Sequence, residues 1–222
     1  MENTENASTS SSAVPAPSAG FSRRAVIDIG TNSVKLLVAE VSGPRVQPLV
    51  ERSRQTRLGR GFYATHRLQP AAIADTARAV AGFAAQAREW GAAPPRVIAT
   101  SAARDAVNQS ELLDALRAAS NLEVEVISGE QEADWSFRGV NSDPAIAGQP
   151  LLLVDVGGGS TEFILGEGDH QKFRRSFPIG TVRLMEQLPR SDPPTGEPAE
   201  KISDGIPHRR APWRLRRQSA TL

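Results

Sequence analysis

The sequence predicts an α/β protein built as two lobes, and three observations carry that prediction. First, Val26 to Val41 (VIDIGTNSVKLLVAEV) lines up with Leu153 to Gly168 (LVDVGGGSTEFILGEG) at a constant offset of 127. Asp28 falls on Asp155, Gly30 on Gly157, Ser33 on Ser160 and Glu40 on Glu167, as expected of a duplicated unit. Second, each copy is an apolar run, an aspartate, a glycine turn and a second apolar run, which is a strand–turn–strand pattern. Third, helical and strand periodicities alternate after the first copy, which calls for a mixed sheet covered by helices.

The elements follow in order. Residues 1–22 are rich in Ser, Thr, Ala, Pro and Asn with little to bury, and are expected to be disordered. Strands are expected at RRAVIDIG, at Lys35 to Val41 and at Val46 to Leu58, with Ser42-Gly43-Pro44 turning between the last two. From Pro70 to Trp90, Ile73, Ala77, Val80, Ala84 and Ala87 recur at spacings of four and three, which is one apolar helix face. Gly91 and Pro94-Pro95 end it. A strand at Arg96 to Ser101, a helix at Ser110 to Ala119 and a strand at Val124 to Ser128 come next. Ser128 and Gln131 form a capping box for a helix from Gly129 to about Gly139. The first lobe is thereby placed at residues 23–148.

A polar connector then leads into the second lobe, whose start is placed at residues 149–190. Strands are expected at Leu151 to Val156, Glu162 to Gly166 and Lys172 to Phe177, and a helix from Gly180 to Leu188. The proline- and arginine-rich stretch 191–222 carries no period and is expected to be disordered. The first lobe has helix–strand–helix steps after its hairpins and the second has none. The second lobe is therefore expected to be incomplete, with the tail following a truncation or a change of reading frame.

Composition narrows the class of function. The chain has 222 residues, 39% hydrophobic and 23% charged, with a formal net charge of +1, so no global field favours nucleic acid or a membrane surface. Cysteine is absent, which removes disulfides, thiolate nucleophiles and zinc–thiolate sites. His66, His170 and His208 share no ligand spacing. The polar N-terminus is unlike a secretory signal, and no run of about 18 apolar residues could span a bilayer. A cytoplasmic protein is expected.

The motifs suggest phosphate chemistry. In Asp155-Val156-Gly157-Gly158-Gly159-Ser160-Thr161 the glycines can present amides to an anion, the hydroxyls can add donors, and Asp155 can hold a metal through water. Without Gly-Lys-Ser/Thr this is not a Walker loop, and alone it is equally a plain hairpin. Asp28, Gly30, Thr31, Asn32 and Ser33 form the partner loop. Two aspartates at the ends of apolar strands are costly unless a cation or donors meet them. Glu130 and Glu132 open the Ser128-capped helix, either to complement its dipole or, one of them, to act as a general base. Arg104, at a strand end, is either a phosphate clamp or a solvated arginine.

With AVIDIGTNSVKLLVAEV, VIATSAARDAVN, VISGEQEADWSFRGV, LLLVDVGGGSTEFIL and FPIGTVRLMEQ in this order, the chain resembles the exopolyphosphatase and guanosine pentaphosphate phosphohydrolase family. The resemblance spans about Ala25 to Thr195. It implies an actin-like, ribonuclease-H-like fold with the site in the cleft between the lobes. It also implies release of terminal phosphate from inorganic polyphosphate or guanosine pentaphosphate with Mg2+, or Mn2+, and water. On that resemblance Glu132 is the catalytic base. Gly30, Thr31, Asn32, Ser33, Arg104, Gly157, Gly158, Gly159, Ser160 and Thr161 bind phosphate, and Asp28, Asp155 and Glu162 hold the metal. A homodimer is compatible with it, as is an inactive product that only binds polyphosphate or a guanosine alarmone. Asp134 and Trp135 depart from the family pattern. Asp134 is expected to raise the pKa of Glu132, and Trp135 to fill core.

Overall fold

Three antiparallel strands open the fold: β1 (Ser22–Ile29), β2 (Ser33–Ser42) and β3 (Arg45–Gln55). The computed structural model describes residues 17–188. Most of the expected N-terminal tail, and the tail from 191 onward, lie outside the described residues. β1 itself begins at Ser22, inside the stretch read as tail. The edge strand β3 carries the sheet's irregularity: Val38 pairs with Val50 but Ala39 with Pro48, which leaves Leu49 as an extra residue beside a proline that cannot donate.

The long helix α1 (Pro70–Glu89) runs back across this sheet, and its predicted face of Ile73, Ala77, Val80, Ala84 and Ala87 is buried. Alanine at three of those five positions lets the helix axis approach the sheet closely, so Val80 and Ile73 reach the core formed by Ile27, Ile29, Val34, Leu36 and Val38. β4 (Arg96–Ala99) joins β1 in parallel, and β5 (Val124–Val126) joins β4 in parallel. The sheet order is β3-β2-β1-β4-β5, the ribonuclease-H-like arrangement of a hairpin meander extended by parallel strands. Between β4 and β5 lie a one-turn helix, α2 (Ser101–Arg104), and α3 (Gln109–Ser120). The sequence has no period long enough to announce α2.

The helix α4 (Gly129–Asn141) starts where the capping box predicts: Gln131 donates its amide to Ser128 Oγ, and Ser128 donates its amide to Gln131 Oε1, both at 3.1 Å. Its packing differs from its place in the chain. Ala133 and Phe137 lie against Ile164, Leu151 and Leu153 of the second sheet, so α4 belongs physically with the second lobe although it precedes the connector. Gly166 accommodates the Phe137 ring, which a Cβ there would approach to 2.5 Å.

That second sheet is β6 (Pro150–Val156), β7 (Thr161–Glu167) and β8 (His170–Phe177), all antiparallel, followed by the short helix α5 (Thr181–Gln187). Its pairing repeats that of the first sheet. Asp28 faces Lys35 and Ile29 faces Val34 in one, and Asp155 faces Glu162 and Val156 faces Thr161 in the other, each at the offset of 127. The covering differs. Ile27, Ile29 and Val38 are buried under helices, whereas among the described residues their equivalents Val154, Val156 and Leu165 are exposed.

Candidate active site between the two glycine turns

The duplicated register places two aspartates and two glycine turns at one seam. In each turn the glycine donates to the serine carbonyl that closes it: Gly30 N to Ser33 O at 3.0 Å and Gly157 N to Ser160 O at 2.9 Å. A side chain at either glycine would press that carbonyl, at 3.2 Å and 3.0 Å from an added Cβ. Among the described residues nothing accepts from the amides of Thr31, Asn32, Gly158 or Gly159. The carbonyls of the second turn, by contrast, are taken up: Thr181 N donates to Gly157 O at 3.0 Å and Val182 N to Gly158 O at 2.9 Å. Held carbonyls and unsatisfied amides leave a donor-rich concavity of the kind that binds an oxyanion.

The turns touch. Thr31 is buried, and its Cβ lies 3.1 Å from where a Cβ on Gly158 would sit. Thr31 Oγ1, Ser101 Oγ and Tyr63 OH all crowd the Cα of Gly159, within 2.7 Å of an added Cβ, and among the described residues none has a hydrogen-bond partner. Thr161, expected to offer its hydroxyl to phosphate, instead donates it to Ile179 O. That correction follows from its place as the first residue of β7, where the returning chain supplies a free carbonyl.

Around this seam sit the carboxylates of Glu132, Glu162, Asp28 and Asp155, with the guanidinium of Arg104 beside Glu132. Arg104 Nη1 donates to Glu132 Oε2 at 3.2 Å and to Ile127 O at 3.0 Å, so the strand-end arginine is a partner of the first-turn glutamate rather than a solvated side chain. Burial, the neighbouring Glu162 and more distant Asp28 push Glu132 up to about 7, against the lowering effect of Arg104. Glu162 accepts from Ser176 Oγ at 2.6 Å and is raised mainly by burial. Asp28 is raised by burial too, with Lys35 opposing and Asp155 adding to it, and its buried Oδ1 has no hydrogen-bond partner among the described residues. Asp155 accepts from Ser136 Oγ at 3.0 Å. Glu130, one turn-position earlier than Glu132, is exposed.

Asp134 does not act on Glu132 as expected. It is turned to the opposite side of α4, where Arg138 (2.9 Å), Arg174 (3.2 Å) and Gln171 (2.7 Å) hold it. Residues two apart on a helix do not share a face. Trp135 is half-buried beneath Arg96, whose guanidinium lies 4.6 Å from the ring centre, so it joins the lobes instead of filling core. Among the described residues no three carboxylates or imidazoles converge into a ready-made ion cage. Magnesium seldom needs such a cage: one or two carboxylates and the substrate's own phosphates suffice. The unpartnered Oδ1 of Asp28 fits that role.

Sequence reasoning missed the residues that fasten the seam. Arg183 donates to Gly159 O at 2.9 Å and to Asp105 Oδ2 at 3.0 Å, and its guanidinium lies 4.4 Å from the Tyr63 ring centre. Glu186 accepts from the amides of Gly61 (2.6 Å) and Tyr63 (3.3 Å). Their spacing of three on one helix is visible in the sequence, but Asp105, Gly61 and Tyr63 lie more than seventy residues away in the other lobe. Ser176 was legible in principle, because a tight β7–β8 hairpin sets it opposite Glu162.

Comparison with known proteins fits this geometry. The model of the Ppx/GppA phosphatase family matches residues 37–214. Exopolyphosphatase 2 of Mycobacterium tuberculosis is 43% identical over 185 residues, covering 79% of this chain and 57% of that protein. The guanosine-5'-triphosphate,3'-diphosphate pyrophosphatase of Vibrio atlanticus is 32% identical over 163 residues, covering 73% of this chain and 33% of that protein. Among solved structures, the Aquifex aeolicus Ppx/GppA family member superposes with a TM-score of 0.67 at 34% identity, covering 83% of this chain and 60% of that one. An exopolyphosphatase from Cytophaga hutchinsonii gives 0.75 at 30% identity, covering 82% and 57%. The chain thus spans little more than half the length of the exopolyphosphatase it matches. With its order of five blocks, its repeated turns and its sheet topology all accounted for, the chain belongs to the Ppx/GppA phosphatase family.

Proposed function

We propose that the cleft releases terminal orthophosphate from inorganic polyphosphate by attack of water. The observation that carries the reading is the placement of Glu132: a half-buried carboxylate 3.2 Å from Arg104, near the two amide-lined turns, where burial and Glu162 push it up to about 7. A base with that pKa is half-ionised near neutral pH and strong enough to take a proton from water. The amides of Thr31, Asn32, Gly158 and Gly159 would hold the terminal phosphoryl oxygens. Water oxygen attacks the terminal phosphorus in line, its proton passes to Glu132, and the anhydride P–O bond breaks with its electron pair staying on the shortened chain. Asp28, with Asp155 and Glu162 nearby and together with the substrate's own phosphates, would hold Mg2+, or Mn2+, and the ion's charge would neutralise the phosphate chain. Arg104 keeps Glu132 oriented, because its Nη1 donates to both Glu132 Oε2 and Ile127 O.

Guanosine pentaphosphate presents the same terminal group and is the second reading, supported by the names of relatives near 32% identity. The higher identity to an exopolyphosphatase favours polyphosphate. Orthophosphate release measured on each substrate in parallel tests the choice. Faster release from guanosine pentaphosphate would reverse it.

A further inference from the structure

A groove of about 560 Å3 lies between the loop that follows β3 and the start of α1, lined by Gln55, Thr56, Arg57, Arg60, Gln69 and the first turn of α1. Four features of it point to one ligand chemistry. The α1 N-terminus carries no side-chain cap and no acid in its first turn. Its first intrahelical bond is donated by Ile73 to Gln69 O at 3.0 Å, which leaves the Ala71 and Ala72 amides directed at the groove mouth with the positive end of a 20-residue helix dipole. Arg57 and Arg60, both exposed, add two guanidinium groups. Thr56, only 6% exposed, carries a hydroxyl without a hydrogen-bond partner among the described residues. The acid in the lining, Asp75, is paired with Arg78.

The groove is tied to the candidate active site by backbone. Arg57 N donates to Asn32 O at 2.9 Å and Gly59 N to Thr31 O at 2.8 Å, so the loop bearing the two arginines is clamped to the first amide-lined turn. We propose that this groove is a second oxyanion subsite, which holds a phosphate group of the substrate chain upstream of the one being cleaved. The inference rests on the polyphosphate reading, and it predicts tighter binding of long chains than of short ones. A substrate with a single terminal pyrophosphate unit would occupy the turns and leave the groove unfilled.

The test is calorimetric titration of the full chain carrying Glu132→Gln, which keeps the substrate intact, with long-chain polyphosphate, pyrophosphate and orthophosphate. Adding Arg60→Glu is expected to weaken long-chain binding by about tenfold or more, the effect of one charge-assisted contact, and to leave pyrophosphate binding unchanged. Gln69→Asp separates binding from folding. An N-cap carboxylate should raise the melting temperature, yet it should weaken long-chain binding because it occupies the same amides. Equal loss for pyrophosphate and long chains, or no loss for either, would overturn the subsite. Orthophosphate binding that depends on Arg60 while long-chain binding does not would overturn it as well, by assigning the groove to the free ion. Turnover is read separately on the chain with Glu132 intact: absence of phosphate release alongside Arg60-dependent binding refutes the hydrolase reading and leaves the subsite standing.

Discussion

Replacing Glu132 with glutamine is expected to stabilise the protein while abolishing turnover. Glu132 titrates near 7 in the folded chain against an ordinary value of 4.5. Its protonated form is therefore preferred on folding, and stability falls as pH rises through the interval between those two values. At about 1.4 kcal/mol per pH decade, the ionised carboxylate costs about 3 kcal/mol at pH 8, an upper figure because the side chain retains 20% of its exposure. Glutamine is nearly isosteric, stays neutral and can still accept from Arg104. For a chain of this size the gain corresponds to a rise in melting temperature of up to about 10 °C. Thermal unfolding followed by circular dichroism at pH 8 and at pH 4.5 reads it. The rise should be present at pH 8 and nearly vanish at pH 4.5. An unchanged or lowered melting temperature at pH 8 would refute the claim that burial and the neighbouring acids, rather than Arg104, dominate this carboxylate.

Three further outcomes follow from the same geometry. The acid limb of the pH–rate profile should lie near 7, and Arg104→Gln should move it to higher pH, because Arg104 favours the ionised form of Glu132; a downward move would contradict the assigned cause. Gly180→Ala should destabilise by about 1–3 kcal/mol or more in denaturant titration, because its Cβ would stand 2.4 Å from the Gly158 backbone, where no flexible side chain can yield. Ile27→Ala should cost about 2–5 kcal/mol, whereas Val154→Ala, at the equivalent position of the second sheet, should cost under about 1 kcal/mol, because the first is buried and the second exposed.

Much of this was legible in the chain because the governing signals are local. The offset of 127 predicted not only two hairpins but the same register in each, since a short glycine turn dictates which residues face each other. The Ser128–Gln131 box predicted the start of α4 because both of its bonds span three residues. What escaped was set by distance. The side of the molecule to which α4 attaches depends on Phe137 meeting Gly166, and the fastening of the lobes depends on Arg183 and Glu186 meeting Asp105, Gly61 and Tyr63. The misplaced influence of Asp134 has a different origin. Asp134 is near Glu132 in sequence but not in space, because helical geometry turns the two carboxylates apart.

Orthophosphate release from long-chain polyphosphate, measured on the full chain with Mg2+ at pH 8 and compared with Glu132→Gln, tests the central claim most directly. The expected result is steady release by the unaltered chain and a loss of at least about a hundredfold in the variant, the usual contribution of a positioned general base. Release at the same rate by Glu132→Gln would contradict the account.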